Sequence, residues 1–169
     1  MEELKNKNRK KEKGITLIAL VITIVALIIL SSIVINIGTN SITESKEDIL
    51  LSELGMIQNA VLQRKTKADI TKETYPGQII TTAGINLEEV ISEINANKAS
   101  EEESVTRKDT NDAHYYVLST TNGGLKDLGI TNSEDAYIVN YGTGEVINYT
   151  TKLTKTGKPL YIYAKEANK

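Results

Sequence analysis

The chain has no cysteine, no tryptophan and no phenylalanine, and among its 169 residues there are one histidine and two prolines. Without cysteine there are no disulfides, no thiolate nucleophile and no Cys-based metal site. This fits a cytosolic protein and equally an exported one that does not rely on disulfides. With a single histidine, His114, no Ser/His/Asp constellation can be argued from spacing, and a histidine beside Tyr115 reads as a strand residue. The net charge of -2 carries no nucleic-acid signature, and no basic groove with interleaved aromatics appears, so direct nucleic-acid binding is not predicted. The large rings are all tyrosine, eight in number, and seven follow residue 114. The length suits one small domain with an appendage.

What the chain does have is a strongly uneven distribution of charge and apolar residues. Residues 1–14 hold Lys5, Lys7, Arg9, Lys10, Lys11 and Lys13 against three glutamates. From Ile15 to Thr43 there is no charge, and residues 15–35 interrupt their aliphatics only with Thr and Ser. As a helix this stretch is roughly 31 Å long, close to the ~30 Å hydrocarbon core of a bilayer. A core helix in a soluble domain is the alternative, but so small a domain cannot surround it. The basic flank predicts a cytoplasmic N-terminus and an outward chain after about residue 36. A secretory signal would be shorter and would end in a small-x-small site. The exit, Asn36-Ile37-Gly38-Thr39-Asn40, offers none.

After this polar stretch helical spacing resumes at Ile42, Ile49, Leu50, Leu54, Ile57, Val61 and Leu62. An amphipathic helix of about 20 residues is predicted, continuing the apolar one outward with a weak point at Gly38. Tyr75-Pro76-Gly77 predicts a turn. A second helix is expected from Asn86, with Glu89 at capping-box spacing and Leu87, Val90, Ile91 and Ile94 on one face. Residues 95–112 read as a solvated polar loop. Strands are predicted at residues 114–119, 136–141 and 145–149, the last two forming a hairpin across Gly142-Thr143-Gly144, with a final edge strand at 159–163. Residues 123–129 read as a turn or short helical piece. The expected fold class is α+β, a long N-terminal transmembrane-to-amphipathic helix packed on a small antiparallel β-sheet. The predicted divisions are a basic leader at 1–14, a transmembrane helix at 15–35, an amphipathic helix at 36–67 and an extracytoplasmic globular part at 68–169.

The junction Lys13-Gly14-Ile15-Thr16-Leu17-Ile18-Ala19-Leu20 resembles the N-terminal signal of type IV pilin-like and pseudopilin-like precursors. In that family a short basic leader ends in Gly, and the mature chain begins with a hydrophobic residue followed by Thr-Leu-Ile-Glu-Leu. The resemblance implies cleavage between Gly14 and Ile15 by a prepilin peptidase, with N-methylation of Ile15. It implies assembly through Thr16, Leu17, Ile18, Ala19 and Leu20. Ile15 stands in place of the usual Phe. Ala19 stands where most members carry a Glu that pairs with a neighbour's N-terminal amine, which points to a minor subunit. It covers about residues 9–65; beyond them it is one of architecture.

The implied function is a subunit of a pilus or secretion pseudopilus, not an enzyme. Its partners would be prepilin peptidase, other pilin-like subunits and the membrane, with no cofactor. The alternative is a single-pass anchored extracytoplasmic binding protein, and an anchored enzyme comes third. Some pseudopilins bind calcium in a C-terminal loop. Here Glu101-Glu102-Glu103 and Asp109-Thr110-Asn111-Asp112 supply oxygen ligands, but not at EF-hand spacing. The glycine pairs lack the strand-to-helix setting of a phosphate loop and read as turns. Asn148-Tyr149-Thr150 matches a glycosylation sequon and reads as chance.

Overall fold

The computed structural model describes the backbone of residues 2–164 and the side chains of residues 19–27 and 45–164. The chain divides into two units, Met1–Ser45 and Lys46–Lys169. Helix α1 spans Glu2–Thr71, so its backbone is helical through residues 36–40 and Gly38 does not break it.

In the second unit, α1 is followed by β1 (Gln78–Ile79), α2 (Leu87–Asn97), a 3-10 turn (Asp112–His114), β2 (Tyr115–Leu118), α3 (Gly124–Asp127), β3 (Tyr137–Asn140), β4 (Glu145–Asn148) and β5 (Tyr161–Ile162). The five strands form one antiparallel sheet in sequence order. The fold class is therefore α+β, with a long helix packed on an antiparallel sheet.

Successive strand residues point to opposite faces, and here both faces are covered. On one face Leu118, Tyr137, Val139 and Val146 pack against Leu54, Ile57 and Val61 of α1. On the other, Tyr115, Val117, Ile138 and Ile147 pack against Leu87, Val90, Ile91 and Ile94 of α2, with Val105 from the following loop. That second cover is why β3 and β4 are buried throughout. Ile49 departs from the expected α1 stripe: it is 64% exposed and faces away from the sheet.

The local chemistry explains the element ends. Past Thr71 the chain turns through a left-handed Lys72, whose amide bonds back to Ala68 O at 2.7 Å. The helix thus outruns the predicted end at residue 67 by one turn, and Ala68 is buried. Arg64 pairs with Glu73 beyond the turn at 2.7 Å. Gly77 has φ 94, and an added Cβ would lie 2.6 Å from Val117 O, so the approach of β1 to β2 requires glycine there. Asn86 caps α2 by accepting from the Glu88 amide at 3.1 Å. Asn140 and Asn148, at the ends of β3 and β4, each accept two amides of the turn that follows. The Asn148 amide nitrogen is bound to Asp135 at 2.7 Å in a buried site, so the sequon is a turn-building device.

Three further expectations are corrected. His114 lies in the 3-10 turn before β2, not in a strand, because Asn111 caps that turn at the Ala113 amide. The last strand shrinks from the predicted 159–163 to Tyr161–Ile162, with Pro159 held by an isolated bridge to Leu153. The stretch 95–112 is not simply a solvated loop. Its first residues finish α2, Asn95 makes two bonds to the Val105 backbone, and Val105 is buried. Strand β1, two residues long, was not predicted.

Candidate functional site

Of the predicted processing and assembly residues, Gly14, Ile15, Thr16, Leu17 and Ile18 lie outside the described side chains. Ala19 and Leu20 are described, and both are exposed. So is every residue through Leu27. Leu20, Val21, Ile22, Ile24, Val25 and Leu27 lie between 49% and 61% exposed. The hydroxyl of Thr23 donates to Leu20 O at 2.8 Å, so the polar side chain of this stretch is satisfied within the helix. A helix apolar all round has no water-facing side. Among the described residues no helix is long and apolar enough to cross a membrane. The predicted span at 15–35 lies largely outside the described side chains.

The second constellation was not foreseen. Glu145 is charged by type yet 1% exposed. It sits on the α2 face of the sheet beside Asn140 and next-but-one to Tyr115, since Tyr115 pairs Asn140 and Asn140 pairs Glu145. Its carboxylate accepts from Tyr115 OH, Thr143 Oγ1 and the Lys108 amide, each at 2.7 Å. Tyr161 OH donates to Thr106 O at 3.1 Å, with Glu145 Oε1 3.3 Å away. A buried acid is tolerated when its lone pairs are met in this way. Burial first, and then the Glu145 carboxylate, push the Tyr115 and Tyr161 hydroxyls well above their ordinary range, so both remain protonated donors.

Around this acid the loop after α2 is held to the sheet. Arg107 bonds Asp112 at 2.6 Å and Glu88 at 2.9 Å, and its guanidinium lies 5.1 Å from the centre of the Tyr115 ring. Burial opposes the Arg107 charge, but its two carboxylate partners outweigh burial and raise its pKa. Asp109 accepts from the Asn111 amide at 2.9 Å and lies 2.6 Å from His114 Nδ1, with the Asn140 amide at 3.3 Å. The Asn111 amide first, then His114, lower the Asp109 pKa to about 2.

The arrangement is a clasp. Glu145 is covered by residues 106–109, and the hydroxyls that face it, those of Tyr115 and Thr143, are spent as donors to its carboxylate. The acidic residues at 101–103 and 109–112 do not converge: among the described residues no three Asp, Glu or His side chains are placed to hold a metal ion. The signal that could have found Glu145 is slight, a single acidic residue at the start of an otherwise apolar strand. No protein-family model, curated protein or solved structure matches this chain.

Proposed function

We propose that this chain is a type IV pilin-like or pseudopilin-like subunit, inserted with its N-terminus inside and cut between Gly14 and Ile15. The globular unit stands on the extracytoplasmic side. The transmembrane part is residues 15–35, and assembly with other pilin-like subunits begins at Thr16, Leu17, Ile18, Ala19 and Leu20. The chain acts as a structural and interaction component, not an enzyme, and as a minor subunit of its assembly.

The observation that carries this reading is the border at Gly14. A small residue stands between a basic leader and an uncharged helix-length run, followed by Ile-Thr-Leu-Ile-x-Leu. A peptidase working at the cytoplasmic face would remove the charges and leave the helix attached. The exposed apolar stretch 19–27 supports it. Six large apolar side chains half in water forgo on the order of 5–10 kcal/mol of burial free energy, which lipid or neighbouring helices would supply.

The test is the N-terminus of membrane-extracted protein from cells that contain a prepilin peptidase. Mass spectrometry should find Ile15 first, carrying an N-methyl group, and Gly14→Leu should leave residues 1–14 attached. Intact residues 1–14 on the unsubstituted chain, or a cut near residue 40, would sink the reading.

A further inference from the structure

Strand β5 is one edge of the sheet and pairs with β4 alone. Leu160 O accepts from the opposed Asn148 amide at 2.9 Å, so these two residues form a hydrogen-bonded pair. Bonded and non-bonded pairs alternate along an antiparallel ladder. Ile162 and Val146 are therefore the next bonded pair, and Tyr161 and Tyr163 turn their N–H and C=O groups outward. Ala164 bonds inward again, to Thr143 O at 3.3 Å, which keeps the alternation. Pro159, two residues before Tyr161, continues the outward row, where a missing N–H costs nothing. The opposite edge is closed off: Ile79 O of β1 is taken by the amides of Thr82 and Ala83, each at 3.0 Å.

A groove of about 360 Å³ lies along β5, with the chain after α2 as its far wall. Wall and strand run the same way. The Ala99 amide bonds Gly157 O at 3.0 Å, Tyr161 OH reaches Thr106 O at 3.1 Å, and Lys108 Nζ lies 4.2 Å from the centre of the Tyr163 ring. The wall is fixed from behind, because Asn95 holds both backbone groups of Val105 and Glu145 holds the Lys108 amide. The two ends of the groove differ in charge. Lys108 stands at the Tyr163 end, where the neighbouring acids are already engaged, Glu145 by its donors and Asp109 by Asn111 and His114. At the other end Glu101, Glu102 and Glu103 outnumber Lys158 and Lys98, and the Lys98 ammonium is bound to the carbonyls of Ala99 and Glu102.

We propose that the β5 edge takes a sixth strand, an extended peptide segment of another protein, running antiparallel to β5. The segment carries an acidic residue opposite Tyr163 and a basic one four residues later, opposite Pro159. Main-chain bonds to Tyr161 and Tyr163 give such a strand its affinity, and alternate side chains give it specificity. Residues opposite Tyr163, Tyr161 and Pro159 point to one face of the sheet, the face on which the groove lies. There the acid meets Lys108, the middle residue packs on the Tyr161 and Tyr163 rings, whose centres are 6.0 Å apart, and the base meets the glutamates. The two residues between them point to the other face. A parallel strand would need the base first, so the order of the charges encodes the direction.

The probe is the peptide Thr-Asp-Thr-Val-Thr-Lys-Thr, capped at both ends, dye-labelled and titrated with the full chain in detergent while fluorescence anisotropy is followed. Saturable binding is expected, about three- to tenfold weaker when Asp and Lys are exchanged, the value of two exposed ion pairs and their reversal. N-methylation at Asp and Val, whose N–H groups face β5, should abolish binding. N-methylation at the two inner threonines, whose N–H groups face away, should leave it intact. On the protein side, Tyr163→Pro removes an outward N–H that serves no bond of its own sheet and should abolish binding. Lys108→Glu keeps the amide that Glu145 holds and should reverse the preference between the two charge orders. Four results would overturn the proposal: no binding at millimolar probe, equal effects of the two N-methylations, which means that no ladder forms, preference of the unsubstituted chain for the exchanged order, or a halving of the particle mass on adding peptide. The last, read by light scattering, means that a second copy of this chain already occupies the edge.

Discussion

Removing the Tyr115 hydroxyl is the sharpest test of the clasp. Tyr115→Phe keeps the ring, which is fully buried, and takes away one of three 2.7 Å donors to Glu145. A hydrogen bond to a charged group contributes about 1.5–3 kcal/mol, and the carboxylate is too deep for water to replace it. Tyr115→Phe should therefore destabilise the globular unit by about 2 kcal/mol. Glu145→Gln preserves volume and one acceptor oxygen, which can still take the Lys108 amide. Its NH2 then faces two hydroxyls that are free to rotate and accept, so the loss should be about 1–2 kcal/mol. The double variant should lose less than the sum, because each change removes the same bond. Stability is read by urea titration of the full chain in detergent, followed by tyrosine circular dichroism, since there is no tryptophan. Trypsin gives a second readout. Arg107 and Lys108 lie in the clasped loop, and cutting there should accelerate in both variants. If Tyr115→Phe changes stability by under about 0.5 kcal/mol and the two changes simply add, Glu145 is not the centre of a clasp.

Asp109, with its pKa lowered to about 2, contributes stability that is present above about pH 4 and is lost as pH falls through 2. The carboxylate is at the solvent edge of the loop, so about 1 kcal/mol is involved, and Asp109→Asn should flatten the acid limb of the unfolding curve by that amount. Gly55→Ala should raise the stability of the globular unit by about 0.5–1 kcal/mol, because a helical glycine is replaced where nothing is crowded. A loss of stability there in urea titration would show that the glycine serves its own fold. Ala19→Glu should increase incorporation into filaments, scored by shearing and immunoblot, without changing cleavage at Gly14. An unsubstituted chain that is already the most abundant filament component would refute the minor-subunit reading.

The parts of the fold that were legible in the sequence are those in which one face is buried at a regular period. Leu54, Ile57 and Val61 announce the sheet-facing side of α1, and Leu87, Val90, Ile91 and Ile94 that of α2. The β3–β4 hairpin was legible because Asn140 and the glycines after it are turn chemistry. Strands β1 and β5 were harder because two residues make no period. The loop after α2 is illegible in the sequence for a different reason. Its composition is polar, but its order comes from specific bonds of Arg107, Lys108 and Asp109 to partners distant in sequence, which no local pattern reveals. Glu145 belongs to the same class, since nothing in a lone acid signals that three donors converge on it. At the N-terminal constellation the sequence speaks alone, because five of its seven residues fall outside the described side chains.

Period alone puts Ile49 on the buried stripe, because it does not say which face is covered. Two apolar series run along α1 at nearly the same spacing, one meeting the sheet and one meeting solvent. The difference lies in what interleaves them. Leu54, Val61 and Ala68 are neighboured by Leu50, Leu51 and Ile57, a continuous apolar surface. Ile49, Met56 and Ile70 alternate with Ser52, Asn59 and Thr66, and Gln63 takes the remaining place. Period gives both series the same signature, so only the continuity of the apolar surface around Leu54 and Val61, against the polar interruptions around Met56, separates the covered face from the exposed one.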